Sequence, residues 1–128
     1  LRDLIGSTPG EEGKWFATAK SQKRLDLALE LAWQSPCDPK TLTRAARDHL
    51  SSQPVFAVEA ALAALHWMSL GHGYELTGSD VRQAFDYAME SAQSVGQLEP
   101  IQRRVDQMLA GNGPAAKWMR QVLGLGDR

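Results

Sequence analysis

The stretch Pro54–Leu70, PVFAVEAALAALHWMSL, decides the fold. Wound at 3.6 residues per turn, Phe56, Val58, Ala60, Ala61, Leu62, Ala63, Ala64, Leu65, Trp67 and Leu70 wrap most of the circumference of one helix. A helix that is apolar almost all round has to be buried among neighbours. Its alanines let those neighbours approach closely. Ser51-Ser52-Gln53-Pro54 marks a stop followed by a start, and Gly71-His72-Gly73-Tyr74-Glu75 breaks the helix at its other end. This segment is therefore expected at the centre of an all-α fold.

Outward from that helix the punctuation is regular. On the N-terminal side, Ser35-Pro36-Cys37-Asp38-Pro39 separates two helices. Asp38 is placed to cap the second of them, with Pro39 at its first position, where a missing N–H costs nothing. Leu42, Ala45, Ala46, His49 and Leu50 then form one face. The preceding helix, within Trp15–Gln34, carries Leu25, Ala28, Leu29, Ala32 and Trp33 at i, i+3, i+4, i+7 and i+8. Leu27 and Leu31 lie on another side, so two of its faces should be covered. The polar stretch Ser21–Arg24 reads as a tight turn after a short first helix.

On the C-terminal side, Thr77 and Asp80 have the spacing of a capping box, with Asp in place of the usual Glu. Val81, Ala84, Phe85, Ala88, Ala92 and Val95 follow at helical spacing, and Gly96 is a fitting stop. Ile101, Val105, Met108 and Leu109 mark a shorter helix that ends at Gly111-Asn112-Gly113. Pro114 opens the last one, with Ala115, Trp118, Met119, Val122 and Leu123 on a single stripe. No segment alternates with period two for long enough to propose a strand. The expectation is about six helices, as stacked antiparallel hairpins or an irregular bundle, in one domain over residues 14–125. Residues 1–13, with Gly6, Ser7, Thr8, Pro9, Gly10 and Gly13 around Glu11 and Glu12, read as a linker or the end of a preceding segment, with Leu4 and Ile5 able to dock. A first residue other than Met fits a piece of a longer protein.

Composition narrows the function classes. With 43 % hydrophobic and 23 % charged residues the chain is globular in character. Fourteen Lys and Arg against fifteen Asp and Glu leave a net charge of -1, so no general field attracts nucleic acid. Cys37 is the only cysteine, which removes any intrachain disulfide or thiolate metal cage and fits a reducing cytoplasm. No apolar run approaches the roughly 18 residues of a membrane span. No cofactor or metal is implied: His49, His66 and His72 are the only histidines, without the paired spacing of a zinc site.

Ala28–Ser35 reappears loosely as Ala61–Ser69, which sets Trp33 and Trp67 34 positions apart. Arg44-Ala45-Ala46-Arg47 is echoed by Arg82-Gln83-Ala84-Phe85 at a different offset. In this pattern residues 15–96 resemble bacterial-type tetratricopeptide-like helical-repeat proteins, without the family's full set of small and aromatic positions. The resemblance implies stacked helix pairs with a concave face that binds a protein or peptide.

Several residues stand out as candidates. Glu59 and His66 interrupt the central helix on one face, too far apart along the axis to chelate one ion. His72 and Tyr74 sit in the glycine-bearing loop, where polar groups can be presented to a ligand. These residues, with Arg44 and Arg47, form the candidate partner-binding set. Trp118, Met119 and Val122 would either complete the core or contact a second copy. The leading expectation is a non-catalytic protein–protein interaction module of a larger cytoplasmic protein. Two alternatives stay open. One is a helix-turn-helix nucleic-acid binder using Lys40, Arg44 and Arg47. The other is a small all-α enzyme or ligand-binding domain with a pocket near His66, His72 and Tyr74.

Overall fold

The computed structural model describes residues 16–21, 24–34, 36–73 and 75–125. Among these, six helices of ten residues or more follow one short helix: α1 (Phe16–Ser21), α2 (Leu25–Gln34), α3 (Pro39–His49), α4 (Pro54–Ser69), α5 (Gly78–Ser94), α6 (Leu98–Met108) and α7 (Pro114–Leu123). No strand occurs among the described residues. The segment read as a linker, together with Leu4, Ile5 and Trp15, lies outside them.

The molecule is a helical bundle built round α4, which packs against α2, α3, α5, α6 and α7. Its alanines at 57, 60, 61, 63 and 64 are all fully buried, and the missing side-chain bulk is what admits neighbours on several sides. Leu62 and Leu65 between them are fully enclosed as well. Each such leucine contributes about 1.5–3 kcal/mol through removal of apolar surface from water. One expectation needs correcting: Leu70, counted with the apolar wrap, is 59 % exposed. It follows the last helical residue and sits at the turn, so the helical period no longer aims it inward.

The ends of the helices follow local chemistry. Asp38 accepts from the Lys40 backbone N–H at 3.2 Å and from the Thr41 hydroxyl at 3.1 Å, which fixes the start of α3. Thr77 and Asp80 form the reciprocal capping box at the start of α5: the Thr77 N–H donates to Asp80 Oδ2 at 2.8 Å, and the Asp80 N–H to Thr77 Oγ1 at 3.4 Å. Caps of this kind contribute about 1 kcal/mol each. At the far end of α4 the His72 N–H donates to the Trp67 carbonyl (2.9 Å) and the Gly71 N–H to that of Met68 (3.0 Å). This is a Schellman ending, and Gly71 supplies its left-handed residue at φ +88°. The end of α5 repeats it, with Gly96 at φ +70°.

Two covered faces on α2 are present, with a different weighting from the sequence stripe. Leu27, Ala28, Leu31 and Ala32 are buried, whereas Leu25, Leu29 and Trp33 pack against the core only in part. The last helix belongs to the bundle. Met119 is fully enclosed, Arg82 donates to the Val122 carbonyl at 2.7 Å, and Arg120 donates to the carbonyls of Leu109 and Gly111.

Candidate functional site

The candidate residues do not converge on one point. Glu59 is paired with Arg104 of α6, its two carboxylate oxygens accepting from the guanidinium at 2.6 and 3.3 Å. That fork ties α4 to α6. His66 lies two turns further on, roughly 10 Å along the axis at 1.5 Å per residue, so the two share a helix face but no site. On α3, Arg44 reaches the hydroxyl of Thr41 at 3.4 Å and Arg47 pairs with its neighbour Asp48 at 3.1 Å. Both arginines are exposed. His49 turns inward: its Nδ1 is 2.8 Å from the Ala45 carbonyl and its ring meets Phe56 edge-on at 4.8 Å. Met119, proposed as an oligomer contact, offers no surface because its own chain encloses it, while Trp118 and Val122 are half-buried. Tyr74 lies outside the described residues.

What the fold does bring together is a group of rings at the end of α4. His66 is 5.1 Å from Trp33 of α2 and 4.6 Å from Trp67, centroid to centroid. His72 also meets Trp67, at 5.5 Å and nearly perpendicular to it. Burial, in the first place, and the charge of His72, in the second, hold the His66 imidazole below its ordinary value of 6.5. Trp67 also donates its indole N–H to the Ala32 carbonyl at 2.6 Å. In an α-helix that carbonyl would accept from residue 36, and residue 36 is proline, which has no N–H. The tryptophan supplies the donor that the proline lacks.

Beside His72 runs a shallow, open groove of about 320 Å³, lined by Pro36, Cys37, Asp38, Pro39, His72 and Gly73. Its walls are the loop between α2 and α3 and the turn after α4. Cys37 is buried, and burial together with the neighbouring Asp38 carboxylate pushes its thiol up to about 11. The sulfur is thus a protonated part of the wall, with no thiolate character at neutral pH. A second cavity of about 300 Å³ lies between α5, α6 and the segment after α7, lined by Phe85, Gln102, Asp106 and Leu125.

Among the described residues no group of three or more His, Cys, Asp and Glu side chains is arranged to hold a metal ion. No described helix is long and apolar enough to cross a membrane. Sequence reasoning picked out His72 but not its partnership with Pro36 and Asp38 across the groove. The available signal was the proline at position 36, which leaves a helix carbonyl in need of a distant donor. No protein-family model matches the chain, and neither a curated protein nor a solved structure matches it.

Proposed function

We propose that this chain is a non-catalytic protein- or peptide-binding module, working within a larger cytoplasmic protein, and that it engages its partner at the groove beyond the end of α4. The observation that carries this reading is the groove itself. It is shallow and open, with proline and glycine walls and the exposed imidazole of His72 on its rim. Such a shape suits a segment of extended chain laid across it, with a side chain inserted between the loops, better than an enclosed small substrate. Its acidic side chain, Asp38, is engaged in capping α3, and its thiol is protonated. The groove therefore offers shape and hydrogen bonding in place of reactive groups. The resemblance to helical-repeat proteins supports the same class of work.

A displayed-peptide selection against the intact chain tests this. Peptides enriched on the wild type are expected to lose binding to Pro36→Ala and His72→Ala, and to keep it with Gln93→Ala on the exposed side of α5. Enrichment that ignores both groove substitutions, or no enrichment at all, would remove the basis for the proposal.

A further inference from the structure

The α1–α2 hairpin is the least embedded part of the described molecule. Beyond its internal contacts, α2 packs substantially on α4 alone. Besides the buried apolar face of Leu27, Ala28, Leu31 and Ala32, three specific contacts join the hairpin to α4: Phe16 stacks on Phe56 at 6.3 Å, Trp67 donates to the Ala32 carbonyl, and Trp33 lies against His66. The last contact wedges a titratable ring between indoles from two helices. We propose that the Trp33–His66–Trp67 seam is a proton-sensitive latch, in which protonation of His66 releases α1–α2 from α4. This stands independently of the binding reading, although Pro36 and Asp38 follow α2 directly, so an opened latch loosens one wall of the groove.

The groups around the seam set the direction. From α2 the closest ionisable residue in sequence to Trp33 is Glu30, exposed and accepting from Gln34 at 3.4 Å. On α4 itself Glu59 is engaged by Arg104. From α3, Lys40 reaches the Glu75 carbonyl at 3.5 Å, and on α5 Asp80 is occupied in the capping box. The remaining neighbour is His72, which shares Trp67 as a ring partner with His66 and opposes a positive charge there. The carbonyl end of α4 favours an imidazolium in this last turn. Burial and His72 act the other way, and their net effect is to hold the folded value below 6.5. The sign follows: a group that binds its proton more readily when released favours the released state in acid. The latch holds fully above pH 6.5 and weakens as the pH falls from there through the lower folded value. Because such openings are local, they precede global unfolding.

Amide hydrogen exchange on the full chain between pH 7.5 and 5.0, expressed as protection factors to remove the intrinsic pH dependence, reads this directly. Protection is expected to fall in α2 as the pH is lowered while α5 and α6 keep theirs. In His66→Gln that pH dependence should vanish, whatever the absolute protection. In His72→Gln it should persist with a smaller amplitude, because the folded value then lies closer to 6.5. Unchanged α2 protection in the wild type, or the same acid response in His66→Gln, would overturn the latch. An NMR titration of the wild-type histidine Cε1 protons does not depend on any variant folding. A His66 midpoint below 6.5 is expected, and one at or above 6.5, as stacking of a cation on the indoles would give, overturns the proposal.

Discussion

Replacing Trp67 with phenylalanine separates the two things this side chain does. The ring that remains keeps most of the packing, while the indole N–H that serves Ala32 is lost. Ala32 is fully buried, and the residue that would normally serve its carbonyl is Pro36, so water and backbone are both poor substitutes. A buried acceptor left without a donor costs about 1–3 kcal/mol. The smaller ring gives up about 1 kcal/mol more of buried apolar surface. The expected loss is thus about 2–4 kcal/mol, a large share of the roughly 5–15 kcal/mol by which a domain is stable. Urea unfolding followed by far-UV circular dichroism at pH 7.5 measures it. Trp33→Phe is the control, since it makes the same chemical change at a half-buried residue that donates no hydrogen bond to the described residues. It should cost under about 1 kcal/mol. A Trp67→Phe protein within 1 kcal/mol of the wild type, or a Trp33→Phe protein equally damaged, would refute the assignment of a donor role to Trp67.

Three further expectations rest on separate features. Gly71→Ala forces a side chain into the left-handed region at φ +88° and should cost about 1–2 kcal/mol; Gly111→Ala, where an added Cβ meets only open space, should be neutral or slightly stabilising on thermal melting. Cys37, with its thiol pushed up from 9.0 to about 11, should react with a thiol reagent at pH 8 about a hundredfold more slowly in the native chain than in urea, since each unit of the rise removes tenfold of the thiolate. A double-mutant cycle on Glu59 and Arg104, both partly exposed, should give a coupling of about 0.2–1 kcal/mol that shrinks in high salt; a coupling several times larger would mean that the pair is far better shielded than its exposure indicates.

The parts of the fold that sequence made legible are those whose cause is local. Asp38 before Pro39, Thr77 three residues before Asp80, and Gly96 after Val95 act within one helical turn, and the helix ends fall where that chemistry puts them. The central place of α4 was legible because its apolar residues wrap most of its circumference. Leu70 departs from the helical pattern for the converse reason: it lies one residue past the last helical position, where the backbone turns. Long-range partnerships were not legible at all. Glu59 finds Arg104 45 residues away, and the spacing of charges within α4 cannot indicate the register at which α6 crosses it. The candidate site divides in the same way. His72 was visible as a loop imidazole between glycines, but its groove partners Pro36 and Asp38 come from a loop whose position depends on how α2 meets α4.

That dependence concentrates on one residue. The indole of Trp67 holds the end of α2 through Ala32, and Pro36 begins one groove wall four residues later. The carbonyl of Trp67 accepts from the His72 N–H, and its ring meets the His72 imidazole, so the opposite wall is set from the same point. The two tryptophans of the 34-residue echo consequently do different work: Trp67 spaces the walls, while Trp33 adds the contact with His66 that makes the spacing sensitive to protons. If one side chain sets the groove, its loss should be felt there before it is felt in the rest of the bundle. Trp67→Phe should abolish binding of groove-selective peptides under conditions where circular dichroism still reports a folded chain, and Trp33→Phe should bind them at pH 7.5 as the wild type does. Retained binding in folded Trp67→Phe would show that the two loops keep their separation without the tryptophan, and that the groove is set by α3 and α5 instead.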